Sequence, residues 1–282
     1  MILPGLGLLA LLYLISWGVT RRHKLDPAHR RSPSEYELAY EDVAFPARDG
    51  VTLRGWWIPA PGADRTVIFL HGHAGSMDPD VQYAPDFHAA GFNVLMFDFR
   101  AHGRSDGRVS AVGCLEWKDA LGAVDYVQAR ATERIGLLGL SMGGVVAMLT
   151  APVCPTVRAV VSDGGPAQLW TALAGWGIER GLPRWLAEVV AWPTVAMASL
   201  RLGVNLFRYE PVRWVGHIAP RPILLIHGDL DPFLTLPELN RLVAAAGAPE
   251  VWRVPDAGHR KVDERYPAEW RRRVIAFFDQ HL

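Results

Sequence analysis

The sequence predicts an α/β fold, a mostly parallel sheet of eight strands flanked by helices. Short runs rich in Val, Ile and Leu recur along the chain, and most are continuously apolar, as strands buried on both faces are. Helix-like segments separate them, the alternation that builds a parallel sheet covered on both sides. Half of the 282 residues are hydrophobic, enough for the core of one large domain with an insertion.

Residues 1–20 stand apart from that pattern. Ile2 to Val19 carries no charge and is followed by Arg21, Arg22, His23 and Lys24. A helix over this run reaches ~27 Å, just short of the ~30 Å hydrocarbon thickness of a bilayer. A cleaved signal wants positive charge before the apolar run and small residues after it, and Ser16-Trp17-Gly18-Val19 fits poorly. The run is expected to be an uncleaved, single-pass membrane anchor. The positive residues that follow place the body on the cytoplasmic side. Residues 21–36, with Pro27 and Pro33, read as a polar linker to a domain over 37–282.

The domain opens with Glu41 to Phe45 and Val51 to Ile58, which flank Arg48-Asp49-Gly50 as an antiparallel hairpin. Strands are expected at Thr66 to Leu70, Phe92 to Phe97, Ile135 to Leu140, Val157 to Ser162, Pro222 to Ile226 and Val251 to Val254. Helices are expected at Cys114 to Arg130 and Ser141 to Leu149. The last helix carries Tyr266, Trp270, Val274, Phe277 and Phe278 at helical spacing, with Pro267 in its first turn. Residues 166–215 break the alternation and hold five of the eleven tryptophans: Trp170, Trp176, Trp185, Trp192 and Trp214. A strandless connection of that length reads as a helical lid inserted over the end of the sheet. Within it, Pro183 can start a helix whose Leu186, Val189 and Val190 share a face.

Composition narrows the function. Lys plus Arg and Asp plus Glu number 29 each, a neutral balance that argues against a nucleic-acid partner. Cys114 and Cys154 are too few for a disulfide framework or a cysteine zinc site. No H-E-x-x-H or similar metal spacing occurs among the ten histidines, so no metal is expected.

Gly139-Leu140-Ser141-Met142-Gly143 matches G-x-S-x-G between an apolar strand and an apolar helix, the setting this nucleophile turn requires. The serine sits on a sharp, strained turn, and Gly139 and Gly143 remove side-chain bulk where strand and helix approach. Serine needs an adjacent base, itself oriented by a third group. With this elbow the acid and then the base follow in the chain. His259 lies in the loop between the last strand and the last helix, at the end of the sheet where Ser141 opens. His217 leads into a strand, His227 precedes the acid, and His281 is terminal. For the acid, the strand Ile223 to Ile226 runs into His227-Gly228-Asp229-Leu230-Asp231-Pro232. Asp231 reaches further over the sheet and is preferred. Asp229 is the rival, tying down its own loop, and Asp163 comes third.

These motifs together resemble the α/β-hydrolase superfamily from about residue 38 onward. The serine aminopeptidase and acylglycerol-lipase-like branch, which includes membrane-anchored members, looks most similar. Phe69 to Gly75 resembles the family's His-Gly oxyanion loop. Asp98 to Gly107 resembles its Gly-x-Gly-x-Ser turn, with Ala101 in place of the usual first glycine. The resemblance implies an oxyanion hole made by the backbone N–H groups of Met142 and His73. His71, His73 and His102 are expected to fix loops.

The chemistry that follows is hydrolysis of carboxylic esters, thioesters or lipid esters through an acyl-enzyme on Ser141, without a cofactor. A tryptophan-rich lid beside a membrane fits a small-molecule or lipid-like acyl substrate. An aminopeptidase or amidase would use the same three residues. A non-catalytic membrane protein that keeps the fold is the alternative outside enzymes.

Overall fold

The computed structural model describes residues 2–130 and 134–282. Its strands are β1 (Glu41–Pro46), β2 (Thr52–Ile58), β3 (Arg65–Leu70), β4 (Asn93–Asp98), β5 (Arg134–Leu140), β6 (Val157–Asp163), β7 (Ile223–Gly228) and β8 (Glu250–Val254). They form one sheet in the order β1-β2-β4-β3-β5-β6-β7-β8. β2 runs antiparallel to β1 and β4, and every other pairing is parallel. This is the α/β-hydrolase sheet, and each expected strand is present within a residue or two. The β1–β2 turn closes through the Ala47 N–H to the Val51 carbonyl at 2.8 Å, with Gly50 at φ 89°.

Alternation along each strand explains the continuous apolar runs. Ile68, Leu70, Leu95, Phe97, Ile135, Leu137 and Val160 face one core, under α3 (Trp117–Gln128) and α4 (Met142–Thr150). Their neighbours Val67, Phe69, Val94, Met96, Leu138, Leu140 and Val161 face the other. That second core is closed by α2 (Ala84–Ala89) and α8 (Pro267–His281), through Phe87, Trp270, Val274 and Phe278. Both faces are buried, so apolar residues occupy both registers along the middle of these strands.

After β4 the chain turns sharply. Ala101 holds φ 57° while fully buried, a left-handed conformation that glycine adopts without steric cost. Its N–H donates to the Asp106 carbonyl at 2.8 Å, which closes the turn. The buried guanidinium of Arg100 donates to Asp119 on α3 and to Asp49 in the β1–β2 turn, so three segments share one cation.

Residues 166–215 between β6 and β7 contain α5 (Leu169–Glu179) and α6 (Arg184–Leu202), packed on each other, and no strand. α6 starts after Pro183 as expected. Its buried face is the small-residue series Ala187, Ala191, Val195 and Ala198 rather than Leu186, Val189 and Val190. Val189 is exposed, because close packing of α6 on its neighbours selects the residues with least bulk.

The N-terminal apolar run is helical, as α1 (Ile2–Thr20). Among the described residues, however, no helix is long and apolar enough to cross a membrane. The expected single-pass anchor is therefore corrected, and with it the membrane partner and the cytoplasmic placement deduced from it. The physical reason lies on one face of α1. Leu12, Ser16 and Thr20, at helical spacing, are buried where α1 packs along α6. Arg201 at the end of α6 donates to Ser16 Oγ (3.1 Å) and Thr20 Oγ1 (2.5 Å). Both hydroxyls donate in turn to backbone carbonyls of α1. The following segment is clamped as well, since Arg22 donates to the Gly107 and Gly103 carbonyls. α7 (Leu236–Ala246) completes the helices between β7 and β8.

Arg201→Ala removes two charge-assisted hydrogen bonds and should cost about 1–3 kcal/mol of docking free energy for α1. Limited trypsin digestion should then cut near Arg21 and Arg22 at least about tenfold faster than in the unsubstituted protein. Unchanged cleavage would mean that α1 is retained by packing alone.

Candidate active site

Loops from the carboxyl ends of the parallel strands converge over the sheet, where open α/β sheets place their ligands. Ser141 lies between β5 and α4 with φ 55° and ψ −113°, a strained conformation for a residue with a side chain. The turn exists because two backbones almost touch. A Cβ on Gly139 would stand 2.3 Å from the Gly143 carbonyl oxygen, and one on Gly143 would stand 1.8 Å from that of Leu70. Both glycines are therefore obligatory, as the motif implied. The Ser141 N–H donates to the Asp163 carbonyl at 2.8 Å, and the Gly144 N–H donates back to the Ser141 carbonyl at 2.9 Å.

The serine meets the histidine expected from the last loop. Ser141 Oγ lies 2.8 Å from His259 Nε2, and His259 Nδ1 lies 2.7 Å from Asp231 Oδ2. Asp231 is buried, and its other oxygen accepts the N–H groups of Phe233 (2.7 Å) and Leu234 (3.2 Å). Those bonds fix the carboxylate's direction before it meets the imidazole. The Phe233 ring stacks on His259 with centroids 4.2 Å apart. Phe233 was not singled out from the sequence, although its place two residues after Asp231 was the available signal.

The other candidates are engaged elsewhere. Asp229 forms a two-point pair with Arg253 (3.0 and 2.8 Å), which holds its carboxyl below the usual carboxylate range. It thus ties β7 to β8 rather than capping its own loop. Asp163 is buried between Arg260 and Trp270, whose Nε1 donates at 2.7 Å. His227 is buried beside Asp229, His217 is exposed near the Trp214 carbonyl, and His281 meets Phe277 edge to face.

A cavity of about 610 Å³ opens above Ser141. Met142 and His73, the two expected oxyanion donors, both line it. His71 accepts the Phe99 N–H at Nε2 (3.0 Å), so its Nδ1 carries the proton that it gives to the Gly72 carbonyl (2.8 Å). That pair of bonds fixes the loop carrying His73. Burial lowers the pKa of His71, and burial with the charges of His23 and His71 lowers His73 to about 3. These rings are neutral near pH 7.

The roof comes from two places. Leu169, Leu173 and Trp176 of α5 and Val195 and Ala198 of α6 belong to the expected segment. Leu14, Ile15, Ser16 and Val19 of α1 also line the cavity. No sequence rule used above assigned the N-terminal run to the site. The alternation of Leu12, Ser16 and Thr20 along one face was the signal, masked by the apolar residues around it. Of the five tryptophans, Trp176 lines the cavity, Trp170 packs beneath α6, and Trp185 and Trp192 face outward. Trp214 stacks on Tyr209.

The fold agrees with comparisons to known proteins. Residues 61–212 match the family described as Serine aminopeptidase, S33. The chain belongs to this family of α/β-hydrolases. Uncharacterized protein YfhR of Salmonella typhimurium is 30% identical over 260 residues, covering 86% of this hydrolase and 82% of YfhR. The alpha/beta hydrolase domain-containing protein WAV2 of Arabidopsis thaliana is 32% identical over 233 residues, covering 79% and 72%. Among solved structures, Pyrococcus furiosus esterase Pf2001 superposes with a TM-score of 0.74 at 30% identity, covering 89% of the hydrolase and 94% of the esterase.

Gly143→Ala should destabilise the hydrolase by several kcal/mol, because the added methyl meets backbone rather than a side chain that can turn away. Denaturant unfolding would measure this, and a loss under about 1 kcal/mol would contradict the contact geometry.

Proposed function

We propose that the hydrolase cleaves carboxylic esters through an acyl-enzyme on Ser141. The observation that carries this reading is the unbroken relay from Ser141 Oγ to His259 Nε2 (2.8 Å) and from His259 Nδ1 to Asp231 Oδ2 (2.7 Å). His259 takes the serine proton as Oγ attacks the carbonyl carbon. Asp231 keeps the proton on Nδ1 and stabilises the imidazolium that forms. The N–H groups of Met142 and His73 are assigned to the developing oxyanion, each such donor contributing about 3–4 kcal/mol to the barrier reduction. His259 then protonates the departing alkoxide. Water activated by the same ring releases the acid. The strained φ of Ser141 and the stacked Phe233 hold the pair in reacting geometry without rearrangement.

The cavity wall supports an acyl substrate over a peptide amine. Among the described residues that line it, none is Asp or Glu, and the charged ones are Arg21 and Arg180. An aminopeptidase has to bind a substrate ammonium, and a wall that carries guanidinium groups repels one. The lining is otherwise mostly Leu, Val, Ala and Trp, suited to an apolar acyl chain. The name of the esterase Pf2001 points the same way. The segment 166–215 and α1 together form the lid over this chain in our reading.

A fluorophosphonate probe should label the unsubstituted enzyme, and Ser141→Ala should abolish labelling and lower ester turnover by about a thousandfold or more. Asp231→Asn should lower kcat by up to about ten-thousandfold, as expected when an imidazole loses its orienting carboxylate. Asp229→Asn, which breaks only the pair with Arg253, should cost less than about tenfold. The reverse order would move the acid to Asp229. Faster turnover of aminoacyl amides than of acyl esters would overturn the ester reading and leave the relay intact.

A further inference from the structure

Three histidines distant in sequence meet beside the active-site cavity. His23 follows α1, His73 lies after β3, and His102 lies in the turn after β4. One ring nitrogen from each lies within 4.8 Å of the other two. The rings crowd together, His23 and His73 edge to face at 4.6 Å and His23 and His102 stacked at 5.0 Å between centroids. His23 Nε2, His73 Nδ1 and His102 Nε2 are all buried and have no hydrogen-bond partner among the described residues. Three unsatisfied acceptors or donors in one spot is a costly arrangement unless something occupies their centre.

The arrangement is positioned rather than incidental. His102 Nδ1 lies 2.8 Å from the Arg100 carbonyl, which can only accept, so Nδ1 carries the proton and Nε2 presents a lone pair. A carbonyl behind a ligating imidazole is the usual device for fixing its tautomer. His23 is held by its backbone, its N–H donating to the Ala101 carbonyl (2.7 Å) and its carbonyl accepting from the Gly103 N–H (3.1 Å). Burial keeps all three rings in the neutral form that metals bind. His71, close by, has both nitrogens engaged and stays outside the set.

We propose that His23, His73 and His102 bind one divalent late first-row transition ion, with zinc as the representative, at a site open to the Ser141 cavity. A set of three neutral imidazoles selects zinc, copper, nickel or cobalt over magnesium and calcium, which require oxygen ligands. Tetrahedral zinc at ~2.0–2.1 Å needs ligand nitrogens ~3.3 Å apart, so the rings must draw inward by roughly an ångström. His23 and His73 both line the cavity, so the ion would enter from that side as the rings draw inward and take a water as its fourth ligand. The bound ion would join the segment after α1 to the loop after β3, adding to the Arg31 N–H that already donates to Asp78 Oδ1 at 3.3 Å.

The test reads the metal and does not depend on turnover, so its outcome is separate from that of the ester reading. The full chain, stripped with a chelator, would be titrated with zinc chloride against a competing chromophoric chelator, and cobalt(II) uptake followed by its visible ligand-field spectrum. One ion per chain is expected, with a cobalt spectrum of tetrahedral intensity and a zinc-dependent rise in Tm. His23→Gln and His102→Gln should each weaken binding by about tenfold or more, and the exposed His217→Gln should leave it unchanged. If His102→Gln does not fold, His23→Gln, which lies before the first strand, decides alone. Failure to take up zinc, or uptake that His23→Gln does not weaken, would overturn the proposal and leave a bridging water as the occupant.

Discussion

The close approach of α4 to the ends of β3 and β5 is the constraint on which the site depends. With Gly143 seated against the Leu70 carbonyl, the chain has no room for a gentle bend, and Ser141 is driven to positive φ. That conformation lifts Oγ off the sheet and aims it at the loop after β8. It also sets the N–H of Met142 at the first turn of a helix, where positive partial charge collects. A more relaxed turn would stabilise the fold and point the serine elsewhere. Strain here is retained because two packed cores on either face of the sheet leave α4 and β5 nowhere to move.

The fold was legible because its information is local. Strands buried on both faces announce themselves as continuous Val, Ile and Leu, and in β3 to β6 the polar residues cluster toward the strand ends. The positions of Ser141, Asp231 and His259 were legible too, since each lies in a loop at the carboxyl end of a recognisable strand. Asp229 and Asp231 were harder to separate. Both follow β7, and what divides them is Arg253 on β8, a cross-strand partner that spacing along one loop does not reveal. Tertiary partners likewise decided α6, where the buried face is small rather than bulky.

The N-terminal run failed as a membrane span for a reason of the same kind. Hydrophobicity states that a helix must leave water and does not state what it will meet. Here part of the surface is met by α6, and the hydroxyls of Ser16 and Thr20, weak signals against so many leucines, are what Arg201 grips. The consequence reaches the chemistry. α1 supplies one wall of the cavity, so under the proposed function substrate selection would be divided between a segment inserted after β6 and one that precedes the first strand.

That division also explains how an apolar cavity and a polar cluster coexist within a short distance. Ser141, His259 and Asp231 are hydrogen-bonded to one another in sequence. The walls are apolar over most of their area, which in the proposed reading serves acyl binding. A cluster of polar ring nitrogens lies where the chain after α1 crosses the turns following β3 and β4. There, backbone bonds to Ala101 and Gly103 bring His23 in, and His73 and His102 are already fixed by their own loops. Three nitrogens at that crossing have no partner among the described residues, and an apolar residue at position 23 would remove one of them and leave two. Histidine at that position brings a third ring nitrogen to the other two, and ligation of a shared ion, as proposed, would satisfy all three at once.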